Sequence, residues 1–140
     1  MTYDPYAAAT RGGALLAAGD QENDSAPQRT LSFAASGVIP SANVGAGEND
    51  FYSLTASGAG AWAAGRITNR TTDHTSPLVE TLRAGAWSAS PTPNPAGAAG
   101  DAGFGRISVA SDGEVWAVGS YKTASSANRA LIERYVPAGG

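Results

Sequence analysis

Three segments of this chain repeat one another about every 50 residues, and the repetition limits the possible folds more than any other feature. A short apolar segment in each copy ends in glycine, at Gly19, Gly65 and Gly119. Another apolar segment precedes each of these, and a third begins about a dozen residues after the glycine. A bias towards alanine and glycine alone would not produce this shared order of three elements.

Each repeated element has the length and composition of a short β-strand. Residues 104–110 end in alternating apolar and polar side chains, and the Asp112-Gly113 pair that follows is typical of a hairpin turn. Residues 85–90 predict a fourth strand, and the proline-rich run 91–95 favours a place at the sheet edge. The predicted strands are 6–10, 51–56 and 104–110 in the first position, 15–19, 61–65 and 115–119 in the second, and 31–33, 78–82 and 131–135 in the third, with 38–46 as a candidate fourth strand in the first copy.

The composition favours closely spaced sheets over helices. The chain of 140 residues has 29 alanines but only 21 leucine, isoleucine, valine and phenylalanine residues together. Its 18 glycines and 8 prolines are spread along the sequence, which disfavours long helices. Three tryptophans and five tyrosines supply the large side chains that would fill gaps between small ones. The sequence therefore predicts an all-β fold made of antiparallel sheets.

The later repeats resemble a known architecture. The segments EVWAVGSY (114–121), RALIERY (129–135) and GAWSASPTPNP (85–95) look like repeats of bacterial β-propeller proteins, which read roughly DVWAVG, LIEHWNG, WS and PSPNP in that order. The resemblance is good over 50–140 and weaker over 1–49, where Leu16 stands in place of tryptophan. It implies four-stranded antiparallel blades related to the Kelch type. The blades would be 1–49, 50–100 and 101–140, the last without its fourth strand.

Three blades are too few for a closed propeller, which has four to eight. Each end of a three-blade arc would leave an apolar sheet face bare. We therefore expect a homo-oligomer, with a dimer that makes a six-blade ring as the favoured form. The alternatives are three blades inside a larger propeller assembly, or an excerpt from a longer protein.

Composition excludes several classes of function. The net charge of −3, without basic runs, disfavours nucleic acid and anionic membranes as partners. The absence of cysteine excludes disulfides and thiolate chemistry, and a single histidine makes a histidine-built metal site very unfavourable. No phosphate-binding or dinucleotide-binding motif is present, so no cofactor is expected. No signal-peptide pattern opens the chain, although the resemblance points to an extracellular protein.

Residues repeated between blades are best explained as structural. Trp62 and Trp116 occupy the same position before Gly65 and Gly119, and we expect them, like Trp87 of the fourth strand, to pack between blades. Stacking of a sugar on an exposed indole is the alternative. Glu80 and Glu133 are also equivalent, and a half-buried carboxylate at such a position needs a donor, such as arginine or a tryptophan N–H.

Loop residues supply a candidate ligand-binding rim. The acidic loop 20–24 spaces carboxylates as calcium loops do, but it lacks the glycine and the terminal glutamate of such a loop. His74 lies in a polar loop, where a surface position is favoured over a catalytic one. The rim candidates are Asp20, Asn23, Asp24, Asn69, Asp73 and His74.

The leading functional hypothesis is a non-catalytic binding or assembly module that recognises a protein or a glycan. A lectin is the first alternative, and it requires an exposed tryptophan or tyrosine beside asparagine or aspartate on a rim. A propeller-type glycoside hydrolase or lyase is the second, with Asp50 and Asp101 as the available acids.

Overall fold

The computed structural model describes residues 2–23, 26–58 and 60–136 of the chain. They form an all-β protein of three antiparallel sheets, which have four, four and three strands in chain order, and within each sheet neighbouring strands are consecutive in the sequence. No helix long and apolar enough to cross a membrane occurs in this part of the chain. The strands are β1 (Thr2–Arg11), β2 (Ala14–Asn23), β3 (Ala26–Ala34), β4 (Gly37–Pro40), β5 (Glu48–Ser57), β6 (Gly60–Thr68), β7 (Thr75–Arg83), β8 (Ala86–Ala89), β9 (Asp101–Val109), β10 (Val115–Lys122) and β11 (Arg129–Tyr135).

Each predicted strand coincides with an observed one, apart from the end of the fourth strand of the first copy, but most observed strands extend two to five residues beyond the predicted bounds. The fourth strand of the first copy is β4 and ends at Pro40, so the prediction of 38–46 is wrong beyond this point. The chain turns away there because Ser41, Ala42 and Asn43 form hydrogen bonds with other strands. β8 pairs only with β7, and the predicted edge position of the fourth strand is confirmed.

Small side chains let the three sheets pack closely face to face. In β6, Ala61, Ala63 and Ala64 are completely buried. Side chains of β6 alternate between two cores, because Ala61 and Ala63 face the first sheet while Trp62 and Ala64 face the third. Phe51 and Phe104 are the largest fully buried side chains and lie in the first strands of the second and third sheets.

The first strand of each sheet lies closest to the neighbouring sheets. β5 contacts β1, β2 and β3 of the first sheet, and β9 contacts β5, β6 and β7 of the second. The edge strands β4 and β8 make far fewer contacts with each other than β1 and β5 do. The sheets are therefore close together at their first strands and more widely separated at their fourth.

A bulge recurs at the same place in all three sheets. The register between the first two strands shifts at Pro5/Ala7, at Phe51/Ser53 and opposite Val118/Gly119. The extra residues are Tyr6, Tyr52 and Gly105. A Cβ on Gly65 would collide with the backbone oxygen of Asp50, and one on Gly119 would collide with that of Gly103. The repeated glycine is thus required by the close approach of the bulged strand.

Candidate functional site: two outer sheet faces and a rim cleft

The outer faces of the first and third sheets expose apolar side chains whose repeat equivalents are buried at the internal sheet interfaces. Leu16, Trp62 and Trp116 are equivalent, and their exposed fractions are 5%, 3% and 41%. We define the outer face of the third sheet by Trp116, Val118 and Ile132, which point away from the buried Ala117 and Leu131. Its apolar side chains have no sheet packed against them among the described residues.

The opposite end of the molecule shows the converse pattern. Leu15 is 62% exposed, whereas the equivalent Ala61 and Val115 are fully buried. We define the outer face of the first sheet by Leu15 and Val38, on the side opposite the buried Leu16. Each outer face thus corresponds to one half of an internal sheet interface, and the two halves lie at opposite ends of the stack.

Trp62 and Trp87 pack between sheets, as the sequence suggests, and Trp116 has no such packing within the described chain. Trp62 belongs to the core between the second and third sheets. Trp87 lies 5.8 Å from Phe51 between ring centroids, and its Nε1–H donates to Ser32 Oγ at 2.7 Å. Packing of Trp116 against another blade stays a prediction.

Glu80 links the second sheet to the loop that follows β4. Its Oε2 accepts hydrogen bonds from Ser41 Oγ at 2.6 Å and from the Ala42 amide at 3.0 Å. Glu80 is completely buried, and its Oε1 has no hydrogen-bond partner among the described residues. Burial raises the pKa of Glu80 above its usual value of 4.5, because the charged form is poorly solvated there.

Glu133 of the third sheet is connected to the second sheet through Tyr135. Tyr135 Oη lies 2.8 Å from Glu133 Oε2 and 3.2 Å from Thr92 Oγ1 in the loop after β8. Burial raises the pKa of Tyr135 above its usual value. The register places Phe33 at the corresponding position of the first sheet, opposite Ala17. A carboxylate therefore occupies this position in the second and third sheets, but only Glu80 bonds directly to the neighbouring sheet, and the first sheet has Phe33 there.

A polar cleft of about 380 Å³ opens at the end of the second and third sheets where the loops 69–74 and 123–128 lie. We call this end the rim and the opening the rim cleft. Side chains from both sheets line it, and the glycines of β9 and β10 leave part of its floor as bare backbone. Its polar and aromatic lining residues include Tyr52, Arg66, Asp101, Tyr121, Lys122 and Asn128.

The bulge residue Tyr52 organises one wall of the rim cleft. Its Oη–H donates to Asp50 Oδ2 at 3.2 Å, and Arg66 Nε donates to the same oxygen at 3.1 Å. The Arg66 guanidinium carbon lies 5.4 Å from the Tyr52 ring centroid, within range of a cation–π interaction. Burial, together with the negative charge of Asp50, raises the pKa of Tyr52 to about 12.

The other wall is organised by Asp101. Its Oδ1 accepts a hydrogen bond from the Thr75 amide at 3.1 Å and lies 3.3 Å from His74 Nδ1. The Thr75 amide lowers the pKa of Asp101, with His74 and Lys122 adding to the effect. A general acid needs a raised pKa, so Asp101 does not have the character of one. Asp50 is likewise engaged by Arg66 and Tyr52, so neither acid of the hydrolase hypothesis is free of partners.

The predicted rim residues occupy different environments. His74 joins Asp101 beside the rim cleft, and Asn69 organises its own loop by accepting from the amides of Thr71 and Thr72. Asp73 has a φ of 60° in the same turn. Asp20 is 1% exposed, because strand alternation places it on the face of Leu16 and Ala18. Asp24 and the Asn23 side chain lie outside the described residues.

Apart from Asp101, sequence reasoning missed the residues that line the rim cleft. The position of Tyr52 could not be predicted, because it depends on the bulge in β5, which the sequence does not reveal. Lys122 and Asn128 flank a loop that the sequence marks only as polar. Within the described ranges no group of three or more histidine, aspartate and glutamate side chains could hold a metal ion. Comparison with known protein families and with curated proteins finds no match to this chain.

Proposed function

We propose that this chain is a non-catalytic β-propeller module that pairs with a second copy to close a six-blade ring. Each sheet would be one blade, with its first strand nearest the ring axis. The closeness of β1, β5 and β9 and the wider separation of β4 and β8 support this radial arrangement. The repeated bulge in every first strand supports it as well, because it bends each strand in the same place.

The observation that carries the proposal is the exposure of equivalent residues at opposite ends. Leu15 is exposed where Ala61 and Val115 are buried, and Trp116 is exposed where Leu16 and Trp62 are buried. The interior interfaces show what such a face accepts. Trp62 belongs there to one core with Ala102, Phe104 and Ile107 of the next sheet. The repeat therefore predicts that the outer face of the third sheet packs against a similar apolar sheet face from another copy.

Two unlike patches on one chain generate a ring if the rotation between copies closes. The outer face of the third sheet in one copy would meet the outer face of the first sheet in the other, and the reverse contact would complete the circle. Each interface would resemble the two already present within the chain. The ring would then act as a rigid support that presents its rim loops to a protein or glycan.

Native mass spectrometry, with sedimentation as a second measurement, tests the proposal. We expect a particle of twice the 14.0 kDa chain mass, and we expect Trp116→Glu to reduce it to a folded monomer. Ala98→Glu, at an exposed loop position, is the matched control and should leave the dimer intact. A folded wild-type monomer at high concentration, or a mass of three or more chains, would contradict the six-blade dimer.

Glycan binding in the rim cleft is the second candidate function. The observation that favours it is the presence of the partly exposed Tyr52 and Tyr121 beside Asp101 and Asn128, whereas the lectin hypothesis asks for an exposed ring. The cleft volume of about 380 Å³ lies within the range of about 300–1,000 Å³ found for small-molecule sites. Donors and acceptors for sugar hydroxyls lie close to aromatic rings there.

A panel of neutral oligosaccharides tests this candidate by calorimetry. We expect Asn128→Ala to weaken binding about tenfold, the effect of losing one or two hydrogen bonds. Ser125→Ala, in the same loop but outside the cleft lining, should leave binding unchanged. Equal binding by both variants, or no binding to any member of the panel, would argue against a lectin.

A further inference from the structure

A second cleft, of about 400 Å³, lies between the first and second sheets at the end opposite the rim. We call it the apolar cleft. Its large apolar lining residues are Leu15, Leu16, Ile39 and Leu82, so that Leu15 borders both this cleft and the outer face of the first sheet. Gly12 and Gly85, which belong to the turns after β1 and β7, also line it, and a Cβ on either would meet nothing within 4 Å. The cleft is therefore open to solvent on the side of the turns.

The repeat supplies an internal reference for this cleft. Leu16, Ala34 and Leu82 correspond to Trp62, Thr81 and Tyr135, because the three sheets share one strand register. The corresponding residues line a cleft of about 260 Å³ between the second and third sheets. The space is larger and more apolar between the first two sheets, where leucine stands at the position of Trp62. At the equivalent position between the second and third sheets, the chain thus accommodates an indole ring.

One positive charge lines the apolar cleft, at a different place from Arg83 in the corresponding cleft. Arg11 lines it at the end of β1, and no hydrogen bond or ion pair engages its side chain among the described residues. No acidic side chain lines the cleft. Guanidinium groups pair with carboxylates through two parallel hydrogen bonds. A ligand that fills the apolar space and carries a single negative charge would match both features.

We propose that the apolar cleft is a binding site for a small aromatic carboxylate, whose ring occupies the space beside Leu16 and whose carboxylate pairs with Arg11. The side chains of Ile39 and Leu82 contact the ring faces. Burial of the ring supplies most of the affinity, and Arg11 selects for the anion. The proposal does not depend on ring closure, because both walls of the cleft belong to one chain.

Calorimetric titration with three indole derivatives separates the two features. We expect indole-3-acetate to bind about tenfold more tightly than indole, and tryptamine to bind more weakly than either, because only the first places an anion near Arg11. Arg11→Gln should lower the affinity for indole-3-acetate to that for indole. Arg83→Gln, next to the corresponding cleft, is the matched control and should change neither affinity.

Leu16→Trp tests the location, since its own indole would occupy the space. We expect this variant to stay folded by circular dichroism and to lose binding of both indole and indole-3-acetate. Undiminished binding by a folded Leu16→Trp variant would place the ligand elsewhere. Equal affinities for indole-3-acetate and tryptamine, an unchanged affinity in Arg11→Gln, or no binding of indole-3-acetate would each overturn the proposal. The monomeric Trp116→Glu variant should bind indole-3-acetate as the wild type does.

Discussion

Buried polar groups at single residues determine how neighbouring sheets are held together. Glu80 and Trp87 both lie on the face of β7 and β8 that meets the first sheet, and each finds a partner there: Ser41 and Ala42 for Glu80, and Ser32 for Trp87. These bonds offset the cost of removing the polar atoms from water. They also fix how the second sheet is placed on the first, which apolar contacts alone would leave less defined.

Because burial raises the pKa of Glu80, its neutral form is favoured in the folded protein. The folded state then binds more protons than the unfolded state above pH 4.5, so the free energy of unfolding should fall as the pH rises through and beyond this value. Each unit of pKa difference corresponds to about 1.4 kcal/mol. Urea unfolding between pH 4.5 and 8 measures this slope.

Glu80→Gln should remove that slope, because glutamine does not titrate. Glu133→Gln is the repeat-equivalent control and should retain it. An unchanged pH dependence in Glu80→Gln would show that the buried carboxyl does not control the effect.

Exchanging the residues at positions 16 and 62 tests the packing described for the two clefts. Leu16→Trp should raise the free energy of unfolding by about 1 kcal/mol, because the indole buries apolar surface in the open cleft. Trp62→Leu should lower it by about 2–4 kcal/mol, since it opens a cavity in a packed core. Thermal or chemical unfolding measures both. A destabilised Leu16→Trp variant would mean that the cleft cannot accept the ring.

The hydrogen-bond donors to Glu80 could not be predicted from the sequence. The sequence indicates a half-buried carboxylate that needs a donor, and arginine or a tryptophan N–H is the expectation. The observed donors are a serine hydroxyl and a backbone amide in the loop after β4. Their position depends on where β4 ends, and the alternation of the sequence does not define that boundary.

At the scale of single strands, a bulge in every first strand sets the shape of the sheets. Gly65 and Gly119 lie opposite it, with the partner backbone too close for any Cβ. The bulge also turns Tyr52 towards Arg66 and the rim cleft. One local irregularity therefore accounts both for the strongest repeated residue and for one wall of the candidate site.

Gly65→Ala should cost about 2–4 kcal/mol of stability, because the strands must move apart or the bulge must be lost. Gly105→Ala is the matched control, since it lies at a bulge with open space around a Cβ, and it should change stability by less than about 1 kcal/mol. Urea unfolding compares the two. Similar losses in both variants would show that the close approach is not the reason for the glycine.

The strands could be predicted because apolar alternation, glycine and proline are local signals. The Asp112-Gly113 turn is one example, with Gly113 at a φ of 89° and the Glu114 amide donating to Asp112. The rim cleft could not be predicted in this way. It joins Tyr52 of one sheet with Lys122 and Asn128 of another, and only the packing of sheets brings these residues together.

At the scale of the whole molecule, the chain is a stack of three sheets with two internal interfaces and two apolar ends. Trp116, Val118 and Ile132 are the exposed large apolar side chains of one end, where Arg106 and Arg134 share their face, and Leu15 and Val38 belong to the other end. An apolar face of this kind favours association, since burying it removes apolar surface from water. Assembly and folding should therefore be coupled.

If two chains close a ring, the apparent melting temperature should rise with protein concentration, because association stabilises the folded state by mass action. Scanning calorimetry over a hundredfold range of concentration measures the effect. Trp116→Glu should abolish the dependence, and Ala98→Glu should preserve it. A melting temperature that does not change with wild-type concentration would contradict coupled assembly.

Phe33 occupies the position at which the other two sheets carry Glu80 and Glu133. The joint between two copies would then contain no titrating carboxyl at this point, whereas the joint between the first two sheets contains a buried one. A rise in pH above 4.5 would then weaken the packing within each subunit, whereas this position in the joint between subunits would not respond to it.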